Sequence, residues 1–549
     1  MTSIAAKFHN QLLVQSEDQH GNLRPVSALD NDSIRPVPVK DRKWNQLTYM
    51  LFWLSATANV SNLYSASTGM TAGLSMWEAI ACTLGGQFLA GCLIAINGRA
   101  GAVYRIPFPV LCRASFGTWG ALWPTFNRAC MSIVWNGVNC VQGAQCLHVF
   151  LHAIFPSIVN IPDKMGSKSA LTSAQMMCFF VYWIVNCAFL VIPIPKMRGL
   201  IYVKVVAFFG AVFVSGSTKS WLICKFFFLG LASCGTFISN AADLQRYTRK
   251  PNDPIAGQVI SFPLSNFIVA VCGNVIAAAS KRIFGELIWN PLTHLDMLME
   301  GDRYTHANRA GCALISLCLM FATLTSAIFE NSIPAGNDIA ALLPKYITVK
   351  RGFFICAILS YAICPWYLLA TAAVFINFLS SYQIFLSAIA GILICDYYLL
   401  RKGYLDIPLL YKGRKSSDGN HINNIYYYKG GFNVRAFVAY LIPVAIHFYG
   451  FLNQMGVSAP TGIIKFYYVA YPTGLLIALG LYYLICVLFP APGIDRHAGW
   501  NEPKNYIDEH DLSGITEGII QDVEVVAQCI VGEKSRNLSE KVFSEADSA

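Results

Sequence analysis

Long apolar segments separated by short polar connections follow one another from about residue 47 to residue 489. Most of them are near the roughly 20 residues that an α-helix needs to cross a bilayer. The pattern therefore predicts an all-α polytopic membrane protein with about twelve transmembrane helices. The predicted spans are 47–69, 75–97, 122–150, 174–194, 199–217, 221–241, 259–280, 309–329, 352–367, 369–397, 433–451 and 468–489.

Two of these spans are interrupted by polar residues that form helices weakly. The first span contains the run from Thr57 to Ser67, and the sixth contains the run from Ser233 to Asn240. Lipid cannot satisfy polar groups at that depth, so such runs are tolerated mainly where they line a cavity enclosed by protein. Two interrupted spans at matching positions in two halves of a chain predict a binding site near the middle of the membrane.

Composition agrees with a membrane protein and sets its expected orientation. Of 549 residues, 55% are hydrophobic and 13% are charged, and the net charge is +10. Lys and Arg are more frequent in the connections that lie on the same side of the membrane as the N-terminus. The positive-inside rule places that side in the cytosol. We expect a cytosolic N-terminal tail at 1–45, a transporter domain at 46–490 and a cytosolic C-terminal tail at 491–549.

Several classes of partner and activity receive no support from the residues. The positive charge reflects topology, because nucleic-acid binding needs a basic patch on a folded soluble domain. The 18 cysteines have no metal-ligand spacing, so neither a metal site nor a cofactor is expected. Without a metal cluster or a convincing nucleophile and base, an enzyme is disfavoured. The tails are interpreted as solvated segments, with contact to trafficking machinery as the alternative, and membrane lipid is the expected partner of the spans.

The third span carries a polar face with a tryptophan in it. Ser132, Trp135, Asn139 and Gln142 follow at intervals that place all four on one side of a helix. An aromatic face suits the stacking of a flat heterocycle while amides read its ring edge. Packing of Trp135 against a neighbouring helix is the alternative.

The eighth span carries hydroxyl groups at a depth that suits a small cation. Thr323, Thr325 and Ser326 offer oxygen ligands, and carbonyl groups freed by the broken first span are able to complete such a set. Serine and threonine also commonly bond the carbonyl one turn back, which is the alternative here.

Glu330 is a carboxylate inside a predicted span and is therefore a functional candidate by default. One hypothesis gives it the coupled proton. The alternative is a structural ion pair with Lys225 in the sixth span or Lys204 in the fifth, and the sequence leaves the choice open.

Several motifs resemble the nucleobase:cation symporter-1 family, and within it the fungal uracil, allantoin and uridine permease branch. The resemblance extends from about Asn31 to Tyr411. Its motifs are Arg35-Pro36-Val37, Arg42-Lys43-Trp44, Phe108-Pro109, Arg113-Ala114-Ser115-Phe116-Gly117, Trp123-Pro124-Thr125-Phe126-Asn127-Arg128, Asn331-Ser332, Ala335-Gly336-Asn337-Asp338, Cys364-Pro365-Trp366 and Ile376-Asn377-Phe378-Leu379-Ser380-Ser381-Tyr382-Gln383.

The resemblance implies a LeuT-like five-plus-five inverted repeat with two further C-terminal helices and with the first and sixth spans unwound at their centres. It also implies the residues of two sites. Those expected to contact substrate are Trp135, Asn139, Asn331, Ser61, Cys234 and Gly235. Those expected to couple the cation are Thr57, Val60, Ala322, Thr325 and Ser326, with a proton as the usual coupling ion of fungal members. Glu330 is added to this group as an intramembrane carboxylate and not from the resemblance.

The chain departs from the family pattern at places that affect the ligand. Cys234 stands where the sixth span usually offers an aromatic ring, Asn139 is one methylene shorter than the common Gln, and Glu330 replaces a small residue. The region from Gly199 to Ala241 is also short for two spans.

The leading hypothesis is a plasma-membrane carrier that imports uracil, allantoin or uridine together with a proton. The alternatives are a transporter-like nutrient receptor without net transport, which the short region from Gly199 to Ala241 favours, and a carrier of a vitamin such as thiamine.

Overall fold

The computed structural model describes residues 28–166, 169–191, 220–413, 424–494 and 498–503, together with short pieces at 13–14, 16–17 and 23–24. Its architecture is helical, as predicted. Six helices of the described part are long and apolar enough to cross a membrane by length and composition. The predicted fifth span, 199–217, lies outside the described residues, so the expected total of twelve spans stays a prediction.

We number the helices of the described residues in chain order. They are α1 Gln46–Thr57, α2 Val60–Thr71, α3 Met76–Tyr104, α4 Phe108–Phe116, α5 Leu122–Ile154, α6 Ser173–Phe189, α7 Ser220–Ser233, α8 Gly235–Ser239, α9 Ala241–Gln245, α10 Asp253–Phe284, α11 Pro291–Met297, α12 His306–Leu342, α13 Val349–Ala362, α14 Ala372–Leu400, α15 Ile407–Leu410, α16 Val434–Gln454, α17 Thr461–Tyr467 and α18 Ala470–Leu488. Two short strands, β1 Ser16–Glu17 and β2 Leu23–Arg24, pair antiparallel near the N-terminus.

The interruption predicted in the first span is present, and Asn59 explains its position. Asn59 has an extended backbone, and its side-chain oxygen accepts a hydrogen bond from the Asn62 N–H at 2.8 Å. This is the geometry of an N-cap, in which a side chain satisfies a backbone donor that the new helix leaves unpaired. The break is shorter than the polar run from Thr57 to Ser67, because the residues after Asn59 already belong to α2.

The interruption predicted in the sixth span is present as well. The chain leaves helical geometry at Cys234, between α7 and α8, and again at Asn240, between α8 and α9. The short α8 is five residues long. The sixth span is thus broken on both sides of a short segment that carries the polar residues Thr236 and Ser239.

The predicted end of the eighth span at residue 329 was wrong, because α12 continues to Leu342. A π-helical turn at Ala327–Ser332 precedes Pro334, which lies inside the continuing helix. A proline lacks a backbone N–H, and the wider turn before it absorbs the disturbance. Gly336 lies in the same helix where α12 packs closely on α13. A Cβ added at this position would lie 2.4 Å from the Phe353 ring.

The two ends of the bundle are distinguished by the chain termini. Near the N-terminus, Asn31 donates from Nδ2 to the Pro344 carbonyl at 3.1 Å, just after α12. Near the C-terminus, Trp500 stacks on Tyr398 of α14 with ring centroids 5.6 Å apart, and Glu502 pairs with Arg99 of α3. We call this end the terminal end and the other the distal end. The positive-inside pattern assigns the terminal end to the cytosol, which stays a prediction.

Candidate functional site

A cavity lies between the two broken spans and the central helices α5 and α12. Its volume is about 40 Å³, well below the range of about 300–1,000 Å³ that is usual for small-molecule sites, so a bound ring requires the walls to move apart. It contains five of the six residues predicted to contact substrate, together with Glu330. The lining residues are Asn59, Ser61, Asn62, Ser65, Trp135, Asn139, Ser233, Cys234, Thr236, Phe237, Phe262, Asn266, Glu330, Asn331 and Leu379.

The polar face of α5 meets the first broken span at this cavity. Ser61 of α2 donates from Oγ to Gln142 Oε1 at 2.7 Å and lies 3.4 Å from Asn139 Oδ1. The other end of the Gln142 amide, Nε2, is buried and has no acceptor within the described part of the chain. A buried donor without a partner loses free energy, so this group, which does not itself line the cavity, is suited to a bound water molecule.

The Trp135 ring has two kinds of neighbour, which correspond to the two predicted roles, stacking on a substrate and packing against a helix. Its ring lines the cavity and also packs against Phe378 of α14, with centroids 5.3 Å apart and planes tilted by 55°. The second contact fixes the position of the ring without covering all of it. Trp135 is therefore both a packing residue between helices and an aromatic wall of the cavity.

The first broken span contacts α12 and α10 through two amides. Asn59 Nδ2 lies 3.5 Å from Glu330 Oε2, and the neighbouring Asn331 lies in the same π-helical turn. Asn62 Nδ2 lies 3.2 Å from Asn266 Oδ1 of α10. Polar groups from three separate helices thus converge at one depth, which is what the paired interruptions predicted.

The sixth span contributes Cys234 to the cavity wall, but not Gly235. The Cys234 thiol donates to Gln87 Oε1 at 2.9 Å. Gly235 is the first residue of α8 and turns towards α18, where an added Cβ would lie 3.2 Å from the Tyr471 ring. The predicted substrate contact of Gly235 is thus not supported by its position.

Phe237 supplies an aromatic side chain that the sequence reading missed. It follows Cys234 by three residues, lines the cavity, and packs edge-on against Trp53 with centroids 5.6 Å apart. Phe262 and Asn266 of α10 and Leu379 of α14 were missed as well. Only Asn266 had a signal in the sequence, as a polar residue within an apolar span. Although position 234 has no aromatic ring, Phe237 and Phe262 give the cavity wall two aromatic side chains.

The residues expected to bind a cation are buried, but several of their oxygen atoms have protein partners. The Thr57 carbonyl accepts from Asn62 Nδ2 at 2.8 Å and from the Asn59 N–H at 2.9 Å. Thr325 Oγ1 donates to the Phe321 carbonyl one turn back at 2.8 Å, the alternative considered from sequence. Val60, Ala322 and Ser326 are also buried.

Lys225 does not pair with Glu330. It borders a different crevice, beside the Tyr468 ring at 5.5 Å, whereas Glu330 borders the central cavity. The other partner considered for Glu330, Lys204, lies outside the described residues.

Buried charges join the helices at the terminal end of the cavity. Arg128 of α5 donates from Nε to Asp338 Oδ2 of α12 at 2.6 Å and forms a second ion pair with Asp243 of α9. Asp243 also accepts from the Phe108 N–H of α4 at 3.0 Å, and the Phe108 ring lies 4.5 Å from the guanidinium carbon. At 1.5 Å per residue, Arg128 lies about 10 Å along α5 from Trp135.

Aromatic rings cluster at the distal end, and we call this cluster the aromatic closure and the charges around Arg128 the ionic closure. Trp289, which precedes α11, lies 5.3 Å from the Tyr64 ring of α2 and 6.1 Å from the Phe375 ring of α14, measured between centroids. The Trp289 carbonyl accepts from Ser67 Oγ at 2.6 Å, and Tyr64 Oη donates to Gln145 Oε1 of α5 at 2.7 Å. The cavity thus lies between an ionic closure and an aromatic closure.

The sequence of residues 36–474 matches the profile of a family described as permeases for cytosine/purines, uracil, thiamine and allantoin. The chain belongs to this family. Among the relatives, the uridine permease of Saccharomyces cerevisiae is 35% identical over 86% of this chain and 76% of its own length. The allantoin permease of the same yeast is 32% identical over 93% of this chain and 84% of its own length. The chain is thus a multi-pass permease-family transporter rather than an enzyme.

A solved structure supports the fold. Mhp1, a nucleobase-cation-symport-1 family transporter in a closed conformation with bromovinylhydantoin bound, superposes with a TM-score of 0.65 at 19% identity. The superposition covers 84% of this chain and 97% of Mhp1. This likeness confirms the predicted fold class, and the profile and the yeast relatives confirm the predicted family.

Proposed function

We propose that this permease imports a small heterocycle, namely uracil, allantoin or uridine, across the plasma membrane together with a proton. The observation that carries the proposal is the central cavity, where the Trp135 ring and the Asn139 and Asn331 amides lie together between two broken helices. An aromatic face and several amide groups match the flat ring and the polar edge of such ligands. The permeases to which the chain is related bear the names of the same ligand class.

Proton coupling is supported by the partners of the residues proposed to bind a cation. The Thr57 carbonyl already accepts two hydrogen bonds, and a sodium ion would have to displace at least one of them. Glu330, in contrast, is a carboxylate on the cavity wall, 3.5 Å from Asn59 Nδ2, and a carboxylate is a group that is able to take up a proton. We assign Glu330 the coupled proton. Thr57, Val60, Ala322, Thr325 and Ser326 form the surrounding structure.

Uptake of labelled compounds tests the substrate and the coupling ion together. Yeast cells without their own permeases would express the full chain, with surface expression confirmed, and receive uracil, allantoin, uridine or thiamine. We expect one of the first three to accumulate, a protonophore to abolish accumulation, and replacement of sodium to leave it unchanged. Accumulation of thiamine alone would contradict the proposed ligand class, and accumulation that survives the protonophore would contradict proton coupling.

The Trp135→Ala variant tests the site itself. Stacking of a base on an aromatic side chain contributes about 1–3 kcal/mol, so loss of the ring should weaken apparent affinity by about 5- to 150-fold. Trp183→Ala is the matched control, because Trp183 of α6 donates to the Ala357 carbonyl and does not line the cavity. Equal uptake kinetics in both variants would place the substrate elsewhere.

The cytosolic position of both termini and contact of the tails with trafficking machinery are further parts of the proposal. Addition of a membrane-impermeant protease to intact cells should leave tags at either terminus uncut if both lie in the cytosol.

A further inference from the structure

Helices α3 and α7 approach each other closely beside the break in the sixth span. Two glycines of α3, Gly85 and Gly86, lie where α3 meets α7. A Cβ added at Gly86 would overlap the Phe227 carbonyl oxygen, and one added at Gly85 would overlap the Phe227 ring. Because glycine has no Cβ, it permits this close contact between the helices. The next residue of α3, Gln87, is thus brought within reach of the α7 backbone.

The buried Gln87 side chain binds two groups at the end of α7. Its Nε2 donates to the Gly230 carbonyl at 3.1 Å, and its Oε1 accepts from the Cys234 thiol at 2.9 Å. A carbonyl oxygen only accepts hydrogen bonds, so the amide nitrogen must face Gly230 and the amide oxygen must face the thiol. One side chain of α3 thus joins a residue before the break to the residue at the break.

The Gly230 carbonyl lies where the hydrogen-bond pattern of α7 changes. In a regular α-helix this carbonyl would accept from the Cys234 N–H, four residues further on. The Cys234 N–H donates instead to the Leu231 carbonyl, three residues back, at 3.2 Å. Two side chains bind the Gly230 carbonyl, Gln87 from α3 and Ser233 Oγ at 2.9 Å. Since buried backbone acceptors need partners, these bonds stabilise the interrupted geometry.

The residues held in this way belong to the central cavity, although Gln87 itself does not line it. Ser233 and Cys234 form part of the cavity wall on the sixth span. The bond from the Cys234 thiol to Gln87 keeps the sulfur atom against α3. A second helix acts on the same break, because Tyr382 of α14 donates from Oη to the Ser233 carbonyl at 3.1 Å. Contacts from outside the cavity thus fix the position of this wall.

We propose that Gln87 is a positioning residue for substrate binding, which holds the break of the sixth span and the Cys234 side chain in place without contacting the substrate. This role rests on the proposed function, since it takes the central cavity as the substrate site. The walls of the cavity must move apart to admit a ring, and the Gln87 bonds keep α3 and the sixth span together as one wall. Loss of these bonds therefore lowers affinity more than it lowers the maximal rate of transport.

The alkylation rate of Cys234 by N-ethylmaleimide tests the hydrogen bonds without any substrate. The full-length protein is used, and peptide mass spectrometry reads Cys234 separately from the other thiols. Gln87→Met keeps the length of the side chain and removes both bonds, which frees the thiol to turn towards the cavity. From the usual net free energy of one hydrogen bond, Cys234 should react about 2- to 10-fold faster than in the wild type.

Asn97→Leu is the matched control. Asn97 of α3 also donates to the sixth span, from Nδ2 to the Ile238 carbonyl at 2.6 Å, but neither of these residues lines the cavity. The control variant loses a bond between the same two elements and should keep the wild-type rate at Cys234. A wild-type rate in Gln87→Met, or the same increase in both variants, would overturn the positioning role.

Uptake kinetics test the consequence for the substrate. For whichever of labelled uracil, allantoin and uridine accumulates, Gln87→Met should raise KM by a similar factor and leave the maximal rate per surface-expressed molecule unchanged. The increase in KM should be smaller when Gln87→Met is added to Cys234→Ala, because effects of residues in contact are not additive. A lower maximal rate with an unchanged KM, or additive effects in the double variant, would contradict the proposal.

The same measurements separate a failure of this role from a failure of the proposed site. If Trp135→Ala raises KM and Gln87→Met does not, the role of Gln87 is overturned and the site stands. If Trp135→Ala leaves KM unchanged, the site itself is overturned, and the substrate role of Gln87 with it. If Gln87→Met does not fold, Gln87→Asn keeps a neutral amide that is one methylene shorter, and it should also speed alkylation of Cys234. A wild-type rate in that variant would overturn the proposal.

Discussion

At the terminal end of the cavity the helices are joined by a buried arginine between two aspartates, whereas at the distal end they are joined by edge-on and stacked rings and by hydrogen bonds. A buried ion pair needs precise geometry, because separated charges in a low-dielectric interior are costly. Contacts between aromatic rings weaken more gradually than a buried ion pair when the side chains rotate, because no charge is left without a partner. Separation of the helices is thus expected to cost more at the terminal end, where it leaves buried charges unpaired, than at the distal end.

The largest effect is expected from Arg128→Met at the terminal end. The substitution leaves Asp243 and Asp338 as neighbouring buried carboxylates, and loss of one partner of a buried pair costs about 3–5 kcal/mol. The Tm of the purified protein should fall steeply and surface expression should decrease. Replacing both aspartates by asparagine in the same variant should recover much of the loss. A single variant as stable as the wild type would show that these charges do not hold the terminal end.

An intermediate effect is expected from Trp289→Ala at the distal end. Removal of the ring opens a path to the cavity without leaving a charge unpaired, so Cys234 should react faster with an alkylating reagent. Peptide mass spectrometry reads the rate at Cys234 separately from the other thiols. Trp77→Ala is the control, since Trp77 of α3 is 50% exposed. Equal rates in the two variants would contradict the aromatic closure.

The smallest effect is expected from Asp296→Asn. Asp296 of α11 lies 2.6 Å from His152 Nδ1 of α5, and its side chain is 28% exposed. Loss of this partly solvated hydrogen bond should cost about 0.5–1.5 kcal/mol and lower the Tm slightly. The control Asp302→Asn changes an exposed carboxylate near the same end. If Asp296→Asn destabilises the protein as much as Arg128→Met, the proposed contrast between the two ends is wrong.

The sequence predicted those parts of the fold and site that depend on local patterns. The break at Asn59, the break at Cys234 and the polar face with Trp135 and Asn139 all lie where the order of polar and apolar residues places them. Each reflects a local rule, namely helix capping or helical periodicity.

The remaining features depend on contacts between distant residues. Arg128 meets Asp243 and Asp338, which follow it by 115 and 210 positions, and no local pattern shows that pairing. Gly235 turns away from the cavity and Phe237 towards it because of the way α8 packs on α14 and α18. The continuation of α12 past Pro334 was missed because a π-helical turn has no distinctive sequence signal.

The most direct test of the central claim is the alkylation rate of Cys234 in the presence of a transported heterocycle. If the cavity between the two closures is the substrate site, a saturating concentration of that compound should slow alkylation of Cys234 in the wild type. The same concentration should protect much less in Trp135→Ala. An unchanged rate in the wild type, with a compound that the protein demonstrably transports, would contradict the account.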